Sequence, residues 1–416
     1  MSRQAVVTGL GVIAPTGVGV ADYWAATLRG RSGIRRLERF DPSSYPSVLA
    51  GEIPEDAFDA ADHLPSRLLP QTDRMTRMAL AAADWALADA GADPARTADF
   101  DMGVVTASSS GGYEFGQREL QNLWGKGPEH VSAYQSFAWF YAVNTGQISI
   151  RNGMRGPSAA FVAEQAGGLD VLGQARRSVR KGTPMMLSGG VDGSLCPWGW
   201  VAHLSTGLVS TEHAPERAYL PFAQDAGGHV PGEGGALLLV EDAEAFERRG
   251  GAGHYGTIAG YAATFDPRPG SGRPPALRRA AELALADAGL TAAEVDVVFA
   301  DAAGSPEQDR AEAEAIRGLF GARAVPVAAP KASTGRLGSG GAPLDVVAAL
   351  LSMRDGLVPP AGPVTAAAEA YGLDLVVGEP RRAELRTALV LARGHGGFNS
   401  ALVLRAPAAE GAPAAA

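Results

Sequence analysis

The chain has 416 residues, 46% of them hydrophobic and 19% charged, enough to bury a large core in two domains or one large double unit. A net charge of −9 argues against nucleic acid as the main partner, and the single cysteine, Cys196, excludes an internal disulfide and a cysteine-rich metal site. No apolar run approaches the roughly 20 residues of a membrane-spanning helix and no signal-peptide pattern precedes the first strand-like run, so the expectation is a cytoplasmic protein with no membrane contact.

Residues 5–12 read as a buried strand running into a glycine turn. Gly9 and Gly11 suggest a dinucleotide loop, but no third glycine follows at the needed spacing. A short helix is expected over 22–28. Residues 31–65 are rich in Pro, Ser and charge and read as an excursion over the surface. A strong helix covers 72–90 and stops at Gly91. Its end, 82–91, shares eight of ten residues with 280–289, and each copy leads through a polar loop into a strand, 102–107 and 295–300. The same order of helix, loop and strand points to an internal duplication. Alternating strands and helices imply a doubly wound α/β unit used twice, with halves at 1–250 and 251–405 and a disordered Ala/Pro/Gly tail over 406–416.

The chemistry concentrates around 156–170, where turn residues pass through a small apolar run into a helix opening near Gln165. The helix shows as Leu169, Leu172, Ala175 and Val179, with Arg176, Arg177, Arg180 and Lys181 near its negative end. A strand-to-helix corner turns its side chain outward, and acyl-transfer enzymes place a nucleophile there. Here the corner carries an amide, which is neither nucleophile nor base.

The stretch resembles the active-site region of a β-ketoacyl synthase, with Gln165 where that family has its catalytic cysteine. Glu164-Gln165-Ala166-Gly167-Gly168-Leu169-Asp170 closely resembles the ketosynthase chain-length factor, the beta subunit of type II aromatic polyketide synthases. The resemblance runs from about residue 6 to 404. It implies the thiolase-like fold, a duplicated five-layered α-β-α-β-α arrangement. The family's two histidines are matched by Asp301, in the turn 300–305, and by Arg336, five residues after Lys331. The loss of all three groups implies no condensing activity. Glu312 and Lys331 match positions near the catalytic centre and are expected to remain as a structural ion pair. His395, in the late glycine loop 394–399, is expected to be structural in the same place.

Tyr113, Gly116, Leu120 and Leu123 share one helical face. In chain-length factors the residues matching the first three close the far end of the polyketide tunnel, which makes them, with Trp200, the expected chain-length gate. The small Gly116 and Leu120 suggest a long product, about decaketide or beyond. Aromatic residues crowd 136–147, and Trp198 and Trp200 follow Cys196; core packing and a partner interface both explain them.

The resemblance thus implies a subunit that pairs with a catalytic ketosynthase alpha subunit. It would set the length of a poly-β-ketone built on an acyl carrier protein with its phosphopantetheine arm, in antibiotic biosynthesis, with no metal or other cofactor. Two other readings stay open. One is a malonyl-carrier-protein decarboxylase that primes synthesis, with the Gln165 amide stabilising the enolate. The other is a self-sufficient homodimeric condensing enzyme, against which the missing thiol speaks.

Overall fold

The computed structural model describes residues 3–268 and 270–408. Most of the expected tail, 409–416, lies outside the described residues.

The chain repeats one sheet pattern twice. In the first half the strands Ala5–Ala14, Met102–Ala107, Ser158–Phe161, Met185–Asp192 and Gly234–Asp242 lie in the spatial order third, second, fourth, fifth, first. In the second half Gly256–Phe265, Val297–Phe299, Pro326–Ala328, Thr387–Gly394 and Phe398–Arg405 take the same order. The directions repeat as well. Each second strand is parallel to its third and fourth, and each fifth is antiparallel to its fourth and first. The two first strands join the halves through the pairs Val6↔Thr257 and Val7↔Gly256.

The duplicated helices dock the same way. A Cβ on Gly9 would lie 2.1 Å from the Ala86 carbonyl oxygen of the helix Arg74–Asp89, and one on Gly260 would lie 2.1 Å from that of Ala284 in the helix Leu277–Ala288. Ala86 and Ala284 are equivalent in the repeated decapeptide. Gly9 is therefore a helix-packing glycine, and Gly11, under Ala82 of the same helix, is another.

Between the two half-sheets lie the helices Glu164–Arg180 and Gly341–Asp355, packed on each other. The second is buried from Gly341 to Met353 and is apolar on nearly all sides, as a helix in a middle layer must be. Helices Arg74–Asp89 and Val143–Asn152 cover the outer face of the first half-sheet. Leu277–Ala288 covers that of the second, with Pro306–Phe320 packed on it. This is the five-layered thiolase-like arrangement.

The two halves differ at their outer sheet edges. In the second half Asp374–Leu375 adds a parallel strand outside Pro326–Ala328. In the first half the sheet ends at Ser158–Phe161, with no further strand beside it among the described residues. The segment 31–65 does more than cross the surface. It forms the strand pair Ile34–Arg36 and Leu49–Gly51, and it buries Leu37, Val48, Ile53 and Phe58, an apolar content that its Pro and Ser residues mask.

Candidate functional site

The corner between Ser158–Phe161 and Glu164–Arg180 places Gln165 in the second position of the helix, fully buried rather than facing outward. The strained residue is its neighbour: Glu164 has φ 49°, outside the usual range for a residue with a Cβ. Gln165 Nε2 donates to Asp301 Oδ1 at 2.9 Å. Its Oε1 has no hydrogen-bond partner and faces Gly341, where a Cβ would lie 2.1 Å away.

Asp301 gathers the other replaced position. Arg336 Nη1 donates to its Oδ2 and Nη2 to its Oδ1, both at 3.2 Å, and the Arg393 backbone N–H adds a third donor at 2.9 Å. Burial alone would raise the Asp301 carboxyl; the Arg336 guanidinium, then Lys331, outweigh it and hold the group below the usual carboxylate range. Burial likewise opposes the charge on Arg336, but Asp301 and then Glu164 keep it protonated. Arg336 also reaches Glu164 Oε1 at 3.4 Å and donates to the Arg393 carbonyl at 3.0 Å. Gln165 and Arg336, two of the three positions singled out in the sequence, thus both bond to the third, Asp301.

Lys331 and Glu312 are both buried but do not pair with each other. Lys331 forms its ion pair with Asp345 and donates to the Ala300 carbonyl. Glu312 instead accepts the N–H groups of Asp301 and Ala302, at 2.7 and 2.8 Å, and holds the turn in which Ala302 takes φ 50°. Burial, then the Asp301 charge, push Glu312 up to about 7. Spacing could not separate these partners, because Asp345 lies on a helix whose approach only the fold determines. His395 is tied in by its backbone N–H, which donates to Glu164 Oε2 at 2.7 Å, while the residue itself is exposed. Its structural part is the main chain, not the imidazole.

A cavity of about 1050 Å³ runs from Tyr113 and Ser109 to Glu164, Arg336 and the loop 394–397. Gln165 does not line it. Two histidines that the motifs did not single out do: His203, whose Nε2 lies 2.8 Å from Ser194 Oγ, and His229. Burial lowers His203 to about 4; burial and then Arg336 lower His229 well below the usual imidazole range, so both rings are neutral. Cys196 is a buried thiol pushed up to about 11, chiefly by burial, which disfavours the thiolate.

At the far end, the helix Tyr113–Lys126 brings Tyr113, Gly116 and Leu120 together with Trp198, not Trp200. The Trp198 ring stacks on Tyr113 with centroids 4.6 Å apart, and its backbone N–H donates to Gln117 Oε1 at 2.6 Å. Trp200 is core: it is fully buried and donates to the Ser47 carbonyl. The space left by Gly116 is not empty, because a Cβ there would meet the Trp198 ring at 3.1 Å. Trp198, Leu120, Gln117, Gln121 and Trp124 line an open apolar groove of about 290 Å³.

The comparisons with known proteins agree with this arrangement. Residues 2–245 match the family described as beta-ketoacyl synthase, N-terminal domain, and 255–365 match its C-terminal domain. The chain belongs to the β-ketoacyl synthase family. Within it, the tetracenomycin polyketide synthase ketoacyl synthase beta subunit of Streptomyces glaucescens is 60% identical over 96% of this chain and 98% of its own. Among solved β-ketoacyl synthase structures, the ishigamide ketosynthase/chain length factor superposes with a TM-score of 0.89 at 25% identity, over 98% of this chain and 100% of that one. A type II polyketide synthase acyl-carrier protein in complex with its ketosynthase bound to the hexaketide gives 0.87 at 26% identity, with the same coverage. Among the described residues no helix is long and apolar enough to cross a membrane, and no group of three or more His, Cys, Asp or Glu could hold a metal ion.

Proposed function

We propose that this chain is the length-setting, non-condensing subunit of a type II polyketide ketosynthase heterodimer in the cytoplasm. It pairs with a catalytic alpha subunit that extends malonyl units on an acyl carrier protein, and its face around Tyr113, Gly116, Leu120 and Trp198 limits the aromatic poly-β-ketone. One observation carries the reading: Gln165 and Arg336 both donate to the Asp301 carboxylate where a condensing enzyme needs a thiolate and two free imidazoles. The carrier's phosphopantetheine arm is then held mainly by the partner.

The partner surface follows from exposure. Val162, beside the sheet edge Ser158–Phe161, the run Trp139-Phe140-Tyr141, Trp198 and Trp124 expose large apolar side chains. Tyr113 and Leu120 lie beside this surface, so a gate there would close a tunnel entering from the partner. A long product, about decaketide, draws its support from the modest bulk of Leu120 and the open groove beside it; Gly116 contributes by giving Trp198 its place. The decarboxylase reading loses ground because the Gln165 N–H is committed to Asp301 outside the cavity.

The test is reconstitution. The chain alone, given malonyl-loaded carrier, should neither become acylated nor form product, and the pair with an alpha subunit should release polyketide. Elongation by the chain alone would refute the proposal.

A further inference from the structure

The gate helix Tyr113–Lys126 begins without a cap of its own. Gly112 has no side chain, and a Cβ there would lie 2.2 Å from the Ala138 carbonyl oxygen, so no capping residue fits. The missing acceptor comes from another helix. Asp73 caps its own helix, Arg74–Asp89, by accepting the Met75 N–H on Oδ1 at 2.9 Å. Its Oδ2 accepts the Phe115 N–H, in the first turn of the gate helix, at 2.8 Å. One carboxylate therefore holds the positive ends of two helices, and it is 2% exposed.

The two helices are unequally anchored. Arg74–Asp89 is buried along most of its length against the strands Ala5–Ala14 and Gly234–Asp242. The gate helix buries only Phe115, Gly116 and Glu119. Its first turn carries Tyr113, which stacks on Trp198, and a slip of one residue would turn the helix by about 100° and shift it by about 1.5 Å.

We propose that Asp73 is a positioning residue for chain length, locking the gate helix to the core so that Tyr113, Gly116 and Leu120 meet the growing chain at one fixed depth. The inference rests on the gate reading above and extends it to a residue that does not touch the chain.

The experiment compares product spectra of the reconstituted complex. Asp73→Asn keeps one acceptor and loses the other, and Asp73→Ser caps its own helix but cannot reach Phe115. Each should shift the ratio of the main product to neighbouring lengths by about fivefold, the factor one hydrogen bond commands. Leu87→Ala, a core truncation in the same anchoring helix, should lower stability and leave that ratio unchanged. An unchanged ratio in folded, active Asp73 variants overturns the proposal, as does an equal shift with Leu87→Ala. If enlarging Gly116 or Leu120 changes length while the Asp73 variants do not, only the clamp fails; if neither does, the gate reading fails with it. Hydrogen exchange on the unmodified complex gives a check free of misfolding: the Phe115 amide should exchange as slowly as that of Met75, and rapid exchange at Phe115 overturns the proposal.

Discussion

Asp301 and Arg336 meet through two nitrogens and two oxygens, each pair at 3.2 Å, in a pocket where both are buried. Asp301 is fully buried, and Arg336 is 7% exposed at the cavity wall. Asp301→Ala leaves the guanidinium with only Glu164, at 3.4 Å, as a charged partner and should cost about 3–5 kcal/mol of stability. Urea unfolding of the purified pair measures this. A loss below about 1 kcal/mol would mean that the pair does not hold the site together.

The two neighbouring tryptophans should separate cleanly. Trp200 is fully buried, so Trp200→Ala should cost about 3–5 kcal/mol and lower the yield of folded complex. Trp198 is 38% exposed and stacks on Tyr113 of the proposed gate, so Trp198→Ala should leave the melting temperature nearly unchanged and lengthen or broaden the product distribution. Thermal melts and product masses for both variants check the assignment; the reverse pattern would restore Trp200 to the gate.

His203 gives a pH signature. Its folded value, about 4, lies below the usual 6.5, so the unfolded chain binds the proton first. The stability it contributes is complete above pH 6.5 and is lost as the pH falls from there towards 4. His203→Gln should therefore flatten the acid loss of stability by about 2 kcal/mol between neutral pH and pH 4, allowing for the solvent that reaches the ring. Identical pH profiles would show that the ring titrates normally.

For the partner surface, Trp139→Ala removes an indole that is 44% exposed in this chain. Association with the alpha subunit should weaken by about 2 kcal/mol, roughly 30-fold in Kd. Sedimentation of the pair reads this directly, and an unchanged Kd would move the interface elsewhere.

Much of the fold was legible because it is written twice. The repeated decapeptide placed Ala86 and Ala284, and each packs under the glycine of an equivalent strand. The cluster of Gln165, Asp301 and Arg336 was legible as well, because turn motifs singled out all three residues and the fold brings them together. Partner choice inside the site was not. Lys331 and Glu312 looked like a pair, yet buried charges are settled by whichever acceptor the fold delivers, here Asp345 for one and two backbone N–H groups for the other. Trp198 and Trp200 could not be told apart because they stand two residues apart in one short helix, Pro197–Leu204, and only the fold decides which of them faces the core. Asp73 gave no signal beyond an ordinary helix cap, since its second bond spans 42 residues.

The mass of the polyketide released by the complex carrying Gly116→Leu tests the central claim most directly. A side chain at that position must push the Trp198 ring, now 3.1 Å from an ideal Cβ, into the space beside Leu120. The account predicts a product shorter by one or more ketide units from a folded, active pair. A product of unchanged mass from such a pair would contradict it.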